Sequence, residues 1–261
     1  MKREANMLKD FTKEAFDVII QAGQSNAEGC GLGPVDVPYQ TTDKIWAMEQ
    51  NGTIGIAAEQ VCGNDVRSNF ALSFADEYVK AGLLKAGRKV LILRTAVGGT
   101  GFLDNRWKPQ DDLFIQMTDM IRTALALNVD NRLICLIWHQ GETDAVYNAS
   151  YDVHYENLFT LVKLTRETFR APELPFIAAD FVHQWRDDNA GICAPVLDAI
   201  RAVCRDCGNA AFVETDGLLS NRQQSEQDGR TVIDDTIHFS RRALYTLGKR
   251  YFDAYRAASE Q

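Results

Sequence analysis

Five short, continuous apolar runs alternate with amphipathic stretches along this chain, and that alternation constrains its fold more than any other feature. The runs are Phe16 to Gln21, Arg88 to Thr95, Arg132 to Trp138, Leu174 to Phe181 and a weaker one at Ala210 to Glu214. Strands covered on both faces are apolar throughout, which marks a parallel sheet packed between helices. Helical spacing fills the intervals at Phe70 to Ala81, Leu113 to Leu127, Tyr151 to Phe169, Ala194 to Cys204 and Arg241 to Ala257. Alternating β and α units imply right-handed crossovers. The expectation is an α/β fold: a three-layer α/β/α sandwich with a flavodoxin-like, parallel five-stranded sheet in the order 2-1-3-4-5. Gly29 to Asn69 reads as irregular, apart from a short strand at Lys44 to Met48. A loop that long inside a compact domain tends to be functional.

The 261 residues suffice for one such domain. The whole chain, 1–261, is read as a single domain with residues 1–15 as an N-terminal extension. Apolar residues make up 46% and charged residues 25%, so the chain can offset its ordering entropy and is not intrinsically disordered. The 28 basic residues against 36 acidic ones leave a net charge of −8, which argues against the basic face that nucleic acid requires. No apolar segment reaches membrane-span length. Met1 to Phe16 is polar and carries no signal-like apolar run, so a cytoplasmic protein is expected, and secretion stays open if a leader was removed. The six cysteines are scattered rather than framework-like, and Cys204 and Cys207 read as two thiols on one helix face.

Ligands of open α/β sheets bind beyond the carboxyl ends of the strands. Four segments there carry chemistry. Gly23-Gln24-Ser25-Asn26 follows the first run, and its serine is either a helix N-cap or a nucleophile at a strand-to-helix turn. Ala96 to Gly101 (AVGGTG) follows the second; its glycines are either an ordinary turn or a loop whose N–H groups face a ligand. His139 to Asp144 (HQGETD) follows the third, a polar cluster that would be costly to bury without purpose. Asp235-Thr236-Ile237-His238 precedes the last helix, a spacing that can set a carboxylate against an imidazole.

Taken jointly and in this order, the segments QAGQSNAEG (21–29), RTAVGGTG (94–101), WHQGETDA (138–145) and DTIHFS (235–240) resemble the SGNH (GDSL-like) hydrolase superfamily. Within it they are most similar to the sialate O-acetylesterase and acetylxylan esterase branch, which has Gly-Gln-Ser-Asn where other members have Gly-Asp-Ser. One departure is Gln140, where the wider superfamily often has Asn. The resemblance implies a serine esterase that removes O-acetyl groups from an acetylated sugar or oligosaccharide, with no cofactor and no metal. Ser25 would be the nucleophile, His238 its base and Asp235 the orienting carboxylate, with Asp234 as an alternative partner. The oxyanion donors would be the N–H of Ser25, the N–H of Gly99 or Gly98, and the side-chain amide of Gln140.

Around this set, Asn26 would support the first turn. Glu142 would hold His238 or the substrate, or satisfy backbone donors in its own loop. Trp107 and Trp185 would either stack on a sugar ring or anchor loops. Arg106 and Arg186 would offer a positive spot for an anionic sugar. His139 reads as structural. The rival readings are a serine esterase or thioesterase acting on other short acyl groups, and a non-catalytic carbohydrate-binding protein. Neither nucleic acid nor membrane is expected as a partner, and the oligomeric state is not readable.

Overall fold

The computed structural model describes residues 10–33, 37–62 and 65–259. Most of the expected N-terminal extension, residues 1–9, lies outside the described residues. In chain order the elements are β1 (Ala15–Gly23), α1 (Ser25–Glu28), β2 (Gly31–Gly33), β3 (Ile45–Met48), β4 (Ile54–Ile56), β5 (Gln60–Cys62), β6 (Asp65–Ser68) and α2 (Phe70–Lys80). There follow β7 (Arg88–Arg94), α3 (Asp112–Leu127), β8 (Arg132–His139), α4 (Glu142–Val146), α5 (Tyr151–Thr168) and β9 (Phe176–Ala179). The chain continues through α6 (His183–Asp188), α7 (Ala190–Asp206), β10 (Ala210–Val213), α8 (Asn221–Gln227) and α9 (Arg241–Ser259).

The main sheet has seven strands in the order β10-β9-β8-β1-β7-β3-β4. The five apolar runs are β1, β7, β8, β9 and β10, and they stand in the expected 2-1-3-4-5 order. All their pairings are parallel. The expected count of five is corrected to seven. β3 adds in parallel to β7, and β4 turns back antiparallel on β3. The interval 29–69 is therefore not irregular: it also holds a three-stranded sheet, β2-β6-β5. Strands of three or four residues are too short to show a period, and β2 pairs with β6 far along the chain, so no local pattern announces them.

β1 is buried from Phe16 onward. Its alternate residues Phe16, Val18, Ile20 and Ala22 pack with side chains of α3, α5 and α7. Ile19 points the other way, into a cluster with residues of α2 and α9. Two helical layers thus cover one sheet. At the amino end of β1, Asp17 is fully buried and paired with Arg88 at 2.7 Å and Arg132 at 2.8 Å. Tyr78 of α2 donates to its other oxygen at 2.7 Å. This ionic knot clamps the amino ends of the central strands, opposite the site. Cys204 is buried in α7 and Cys207 follows the helix end; burial pushes their thiols up, to about 12 and about 11. Among the described residues no helix is long and apolar enough to cross a membrane.

Candidate active site

The carboxyl ends of β1, β7 and β8 converge on the site. Gly23 closes β1 with φ 125°, where a Cβ would stand 2.1 Å from the His139 carbonyl oxygen, so only glycine lets the chain turn here. The Gln24 N–H then donates to that same carbonyl at 2.8 Å. Ser25 becomes the first residue of the short helix α1, where it is not the N-cap, and its side chain is free for another task.

That side chain meets His238. Ser25 Oγ lies 2.8 Å from His238 Nε2. His238 Nδ1 lies 2.9 Å from Asp235 Oδ2 and 3.0 Å from Oδ1. The serine–histidine–carboxylate line is complete without movement. Burial opposes the charge on Asp235, but hydrogen bonds from His238 and from Asn221 at 2.8 Å outweigh it and hold the carboxyl below its ordinary value. Asp234 points away, to Arg222 at 3.0 Å, which disposes of it as the alternative partner.

Asn26 fixes the two halves of this line to each other. Its Nδ2 donates to the Ile237 carbonyl at 3.1 Å, and its Oδ1 accepts from the Phe239 N–H at 3.0 Å, so it brackets His238 on both sides. The same Nδ2 donates to Glu142 Oε1 at 2.8 Å. Glu142 is buried and stands 3.5 Å from His139 Nε2. Burial works against its charge, yet His139 and Asn26 hold the carboxyl below its ordinary value. Glu142 reaches neither His238 nor the surface; it anchors Asn26, a role outside the three read for it from the sequence. His139 is fully buried between Phe70, Phe239 and the Tyr251 hydroxyl, a structural histidine as expected.

The Gly-rich turn after β7 supplies the second wall. The Gly98 N–H is taken by Glu28 Oε2 at 2.7 Å. Among the described residues no acceptor meets the N–H of Ser25 or Gly99, which leaves these two as the available backbone donors. The side-chain amide of Gln140 is a correction. It is buried, donating to Asp144 Oδ2 at 2.8 Å and the Thr100 carbonyl at 3.3 Å, so its hydrogens are engaged within the loops. A carboxylate one helical turn on, Asp144, was more attractive to it than open space.

The two tryptophans and two arginines read from the sequence find these places. Trp107 is fully buried; its indole donates to Thr100 Oγ1 at 2.9 Å and its ring meets Trp138 edge-on at 5.1 Å, so it anchors the loop and cannot stack on a sugar. Trp185, on α6, is half-buried against Phe181 at 5.8 Å. Arg106 gives two bonds to Asp112, at 2.8 and 3.0 Å. Arg186 is paired with both Asp180 and Asp187. Both arginines already hold carboxylates, so neither makes the positive spot expected for an anionic sugar.

Three supporting residues escaped the sequence reading. Gln24 Oε1 accepts from the Thr143 N–H at 3.1 Å and ties the first segment to the third. Asp144 accepts from the N–H groups of Phe102 and Leu103 at 3.0 and 2.8 Å. Asn221, opening α8 behind a Ser220–Gln223 capping box, holds Asp235 and also spans to the Cys30 carbonyl. Only the capping box has a local signature, Ser-x-x-Gln. Among the described residues no group of three His, Cys, Asp or Glu is arranged to hold a metal ion.

Sheet order and a site at the carboxyl ends of the central strands together define a hydrolase of the α/β/α-sandwich class. The chain belongs to the carbohydrate esterase family of sialic acid-specific acetylesterases, whose profile matches residues 15–257. It is thus a carbohydrate O-acetylesterase, and the resemblance to the sialate O-acetylesterase branch is borne out. Among solved structures it is similar to NanS, with a TM-score of 0.77 and 17% identity over 94% of this chain and 98% of that one. A protein from Arabidopsis thaliana gives a TM-score of 0.69 at 17% identity, covering 92% of this chain and 98% of its own. A carbohydrate acetylesterase from Xanthomonas citri gives 0.61 at 16% identity, covering 94% of this chain and 56% of that chain. At these identities the likeness is one of fold. No curated protein matches the sequence.

Proposed function

We propose that this acetylesterase works by a serine mechanism through an acetyl-enzyme, on O-acetylated sugars of the sialic acid or xylo-oligosaccharide type. The observation that carries the reading is the 2.8 Å approach of Ser25 Oγ to His238 Nε2, with Asp235 behind the ring. Ser25 Oγ attacks the acetyl carbonyl carbon while His238 Nε2 takes its proton. The carbonyl electron pair moves onto oxygen, where the N–H groups of Ser25 and Gly99 receive the negative charge. Collapse expels the sugar oxygen, which leaves with the proton from His238. Water then attacks the acetyl-serine with His238 again as base, and acetate departs. Asp235 keeps Nδ1 protonated and steadies the imidazolium. Gln140, Asp144 and Gln24 hold the loops that present these donors.

Aryl acetate and aryl decanoate hydrolysis tests the reading, beside Ser25→Ala and His238→Ala. Acetate is expected to be cleaved faster than decanoate, and both variants to lose activity. Equal phenol release by wild type and Ser25→Ala sinks the serine mechanism. Faster decanoate cleavage sinks the acetyl preference. Hydrolysis of O-acetyl sialic acid against O-acetyl xylo-oligosaccharide then decides between the two sugar classes.

A further inference from the structure

Glu28 stands three residues beyond Ser25 on α1, and on a helix that spacing places two side chains on one face. The shared face looks towards the Gly-rich turn after β7. There the Glu28 carboxylate accepts from the Gly98 N–H at 2.7 Å. A Cβ on Gly98 would stand 3.0 Å from Glu28 Oε2 and 3.5 Å from Ser25 Cβ, so the Gly98 backbone lies against both the acid and the nucleophile.

Burial does not demand this bond. Glu28, Gly98 and Gly99 are all exposed, and water satisfies an exposed N–H as well as a side chain does. What the bond does is fix direction. The turn is tied at its entry, where the Val97 N–H donates to the Gly23 carbonyl at 3.1 Å. It is tied again at its exit, where Thr100 Oγ1 donates to the Val97 carbonyl at 2.7 Å. Between these ties stand two glycines, the residues with the most backbone freedom. A Cβ on Gly99 would meet nothing within 4 Å, so packing does not hold that residue. Among the described residues no other hydrogen bond engages the N–H of either glycine. Peptide units are planar, so only the φ and ψ of Gly98 separate its N–H from that of Gly99. A charge-assisted bond on the first N–H thus orients the second.

We propose that Glu28 is a positioning residue for acetyl transfer: by holding the Gly98 N–H it aims the Gly99 N–H at the oxyanion that forms when Ser25 attacks. This rests on the serine mechanism proposed above. Glu28 takes no proton and forms no bond to the substrate; it acts through the turn. A negative charge this close to a developing oxyanion opposes it. The contribution of Glu28 is therefore its acceptor oxygen and the reach of its side chain, not its charge.

The test measures kcat and KM on an aryl acetate, and the inhibition constant of an arylboronic acid, for wild type, Glu28→Ala, Glu28→Asp and Glu28→Gln, beside Ser25→Ala. The boronate forms a tetrahedral adduct on Ser25 with an oxygen where the oxyanion forms, so it reports the same donors without turnover. Removing an oxyanion donor outright costs about 10²–10³ in kcat, and a misaimed donor loses part of that. Glu28→Asp keeps the charge but draws the oxygen back by one carbon. It and Glu28→Ala are each expected to lose at least about tenfold in kcat and in boronate affinity, with KM within about threefold of wild type. Glu28→Gln keeps an acceptor at the same reach and is expected to retain at least about a third of both. If Glu28→Ala does not fold, the contrast between Asp and Gln decides alone. A smaller loss in the Ala or Asp variant, a change confined to KM, or a larger loss in Glu28→Gln overturns the role of Glu28. Wild-type turnover no greater than that of Ser25→Ala instead overturns the serine mechanism beneath it.

Discussion

Asn26 and Glu142 are joined at 2.8 Å between the short helices that follow β1 and β8, and this buried bond holds the Asn26 side chain where it also grips the segment carrying His238. Asn26 reaches Ile237 and Phe239 from the same amide, while Glu142 reaches no catalytic side chain directly. Asn26→Ala therefore releases His238 from both sides. An error of about 1 Å in such a site costs roughly 10²-fold. The expected result is a fall of about that size in kcat on aryl acetate with KM little changed. A circular dichroism spectrum like that of the wild type would show that the fold is retained. A kcat within threefold of wild type would show that Asn26 does not position His238.

Asp235 faces His238 Nδ1 and leaves Nε2 for Ser25. Asp235→Asn keeps the shape but can hold the wrong tautomer, for which a loss of about 10⁴ in kcat is reasonable. Asn221→Ala removes one bond from the same carboxylate and should be milder, at most on the order of 10²-fold, since one hydrogen bond to a charged group is worth about 1.5–3 kcal/mol. Steady-state kinetics on the two variants checks the ranking. The reverse order would place the orienting charge elsewhere.

Stability should fall in acid through Asp17. Burial raises its pKa, but hydrogen bonds from Arg132, Tyr78 and Arg88 outweigh burial and leave the carboxyl below its ordinary value. A group depressed in the folded state stabilises above its unfolded pKa, about 3.9, and that contribution disappears as pH drops through the lower folded value. Urea unfolding at pH 7 and at pH 3 should show the loss. Asp17→Asn leaves two buried or half-buried arginines without their carboxylate and should cost about 3 kcal/mol at pH 7, with a shallower pH dependence. Unaltered pH dependence in the variant would exonerate Asp17.

Gly23→Ala should be among the most damaging single-methyl changes in the protein. The added carbon must occupy space 2.1 Å from the His139 carbonyl oxygen at a φ that disfavours side chains. Strain and overpacking each cost about 1–3 kcal/mol, so a loss of roughly 3 kcal/mol or more is expected. Thermal unfolding and aryl acetate turnover should both fall. A variant with wild-type Tm would mean that the turn can relax.

Trp107→Ala should act on stability and not on sugar recognition. Its ring is fully buried against Trp138, and a large-to-small change of this kind costs about 3–5 kcal/mol. A raised KM confined to sugar esters, with an unchanged Tm, would restore the stacking reading.

The sequence by itself determined the five central parallel strands. Continuous apolar runs are a local property, and burial on both faces is their direct cause. It also determined the four chemistry-bearing segments, because a Ser, a Gly pair and a polar cluster stand beyond apolar runs where no core needs them and an Asp-x-x-His precedes the last helix. Only the tertiary structure decided what those segments touch. Asp235 over Asp234 depended on α8, where Asn221 holds Asp235 beside His238 while Arg222 draws Asp234 away. Glu142, Gln140, Arg106 and Arg186 looked free in one dimension, but each found a partner in Asn26, Asp144, Asp112 and Asp180. Gln21 and Arg94 stand 73 residues apart in the chain and are brought side by side only by sheet register. Hydrogen-bond partners are set by proximity after folding. A chain with many polar residues offers many candidate pairs, and sheet geometry chooses among them.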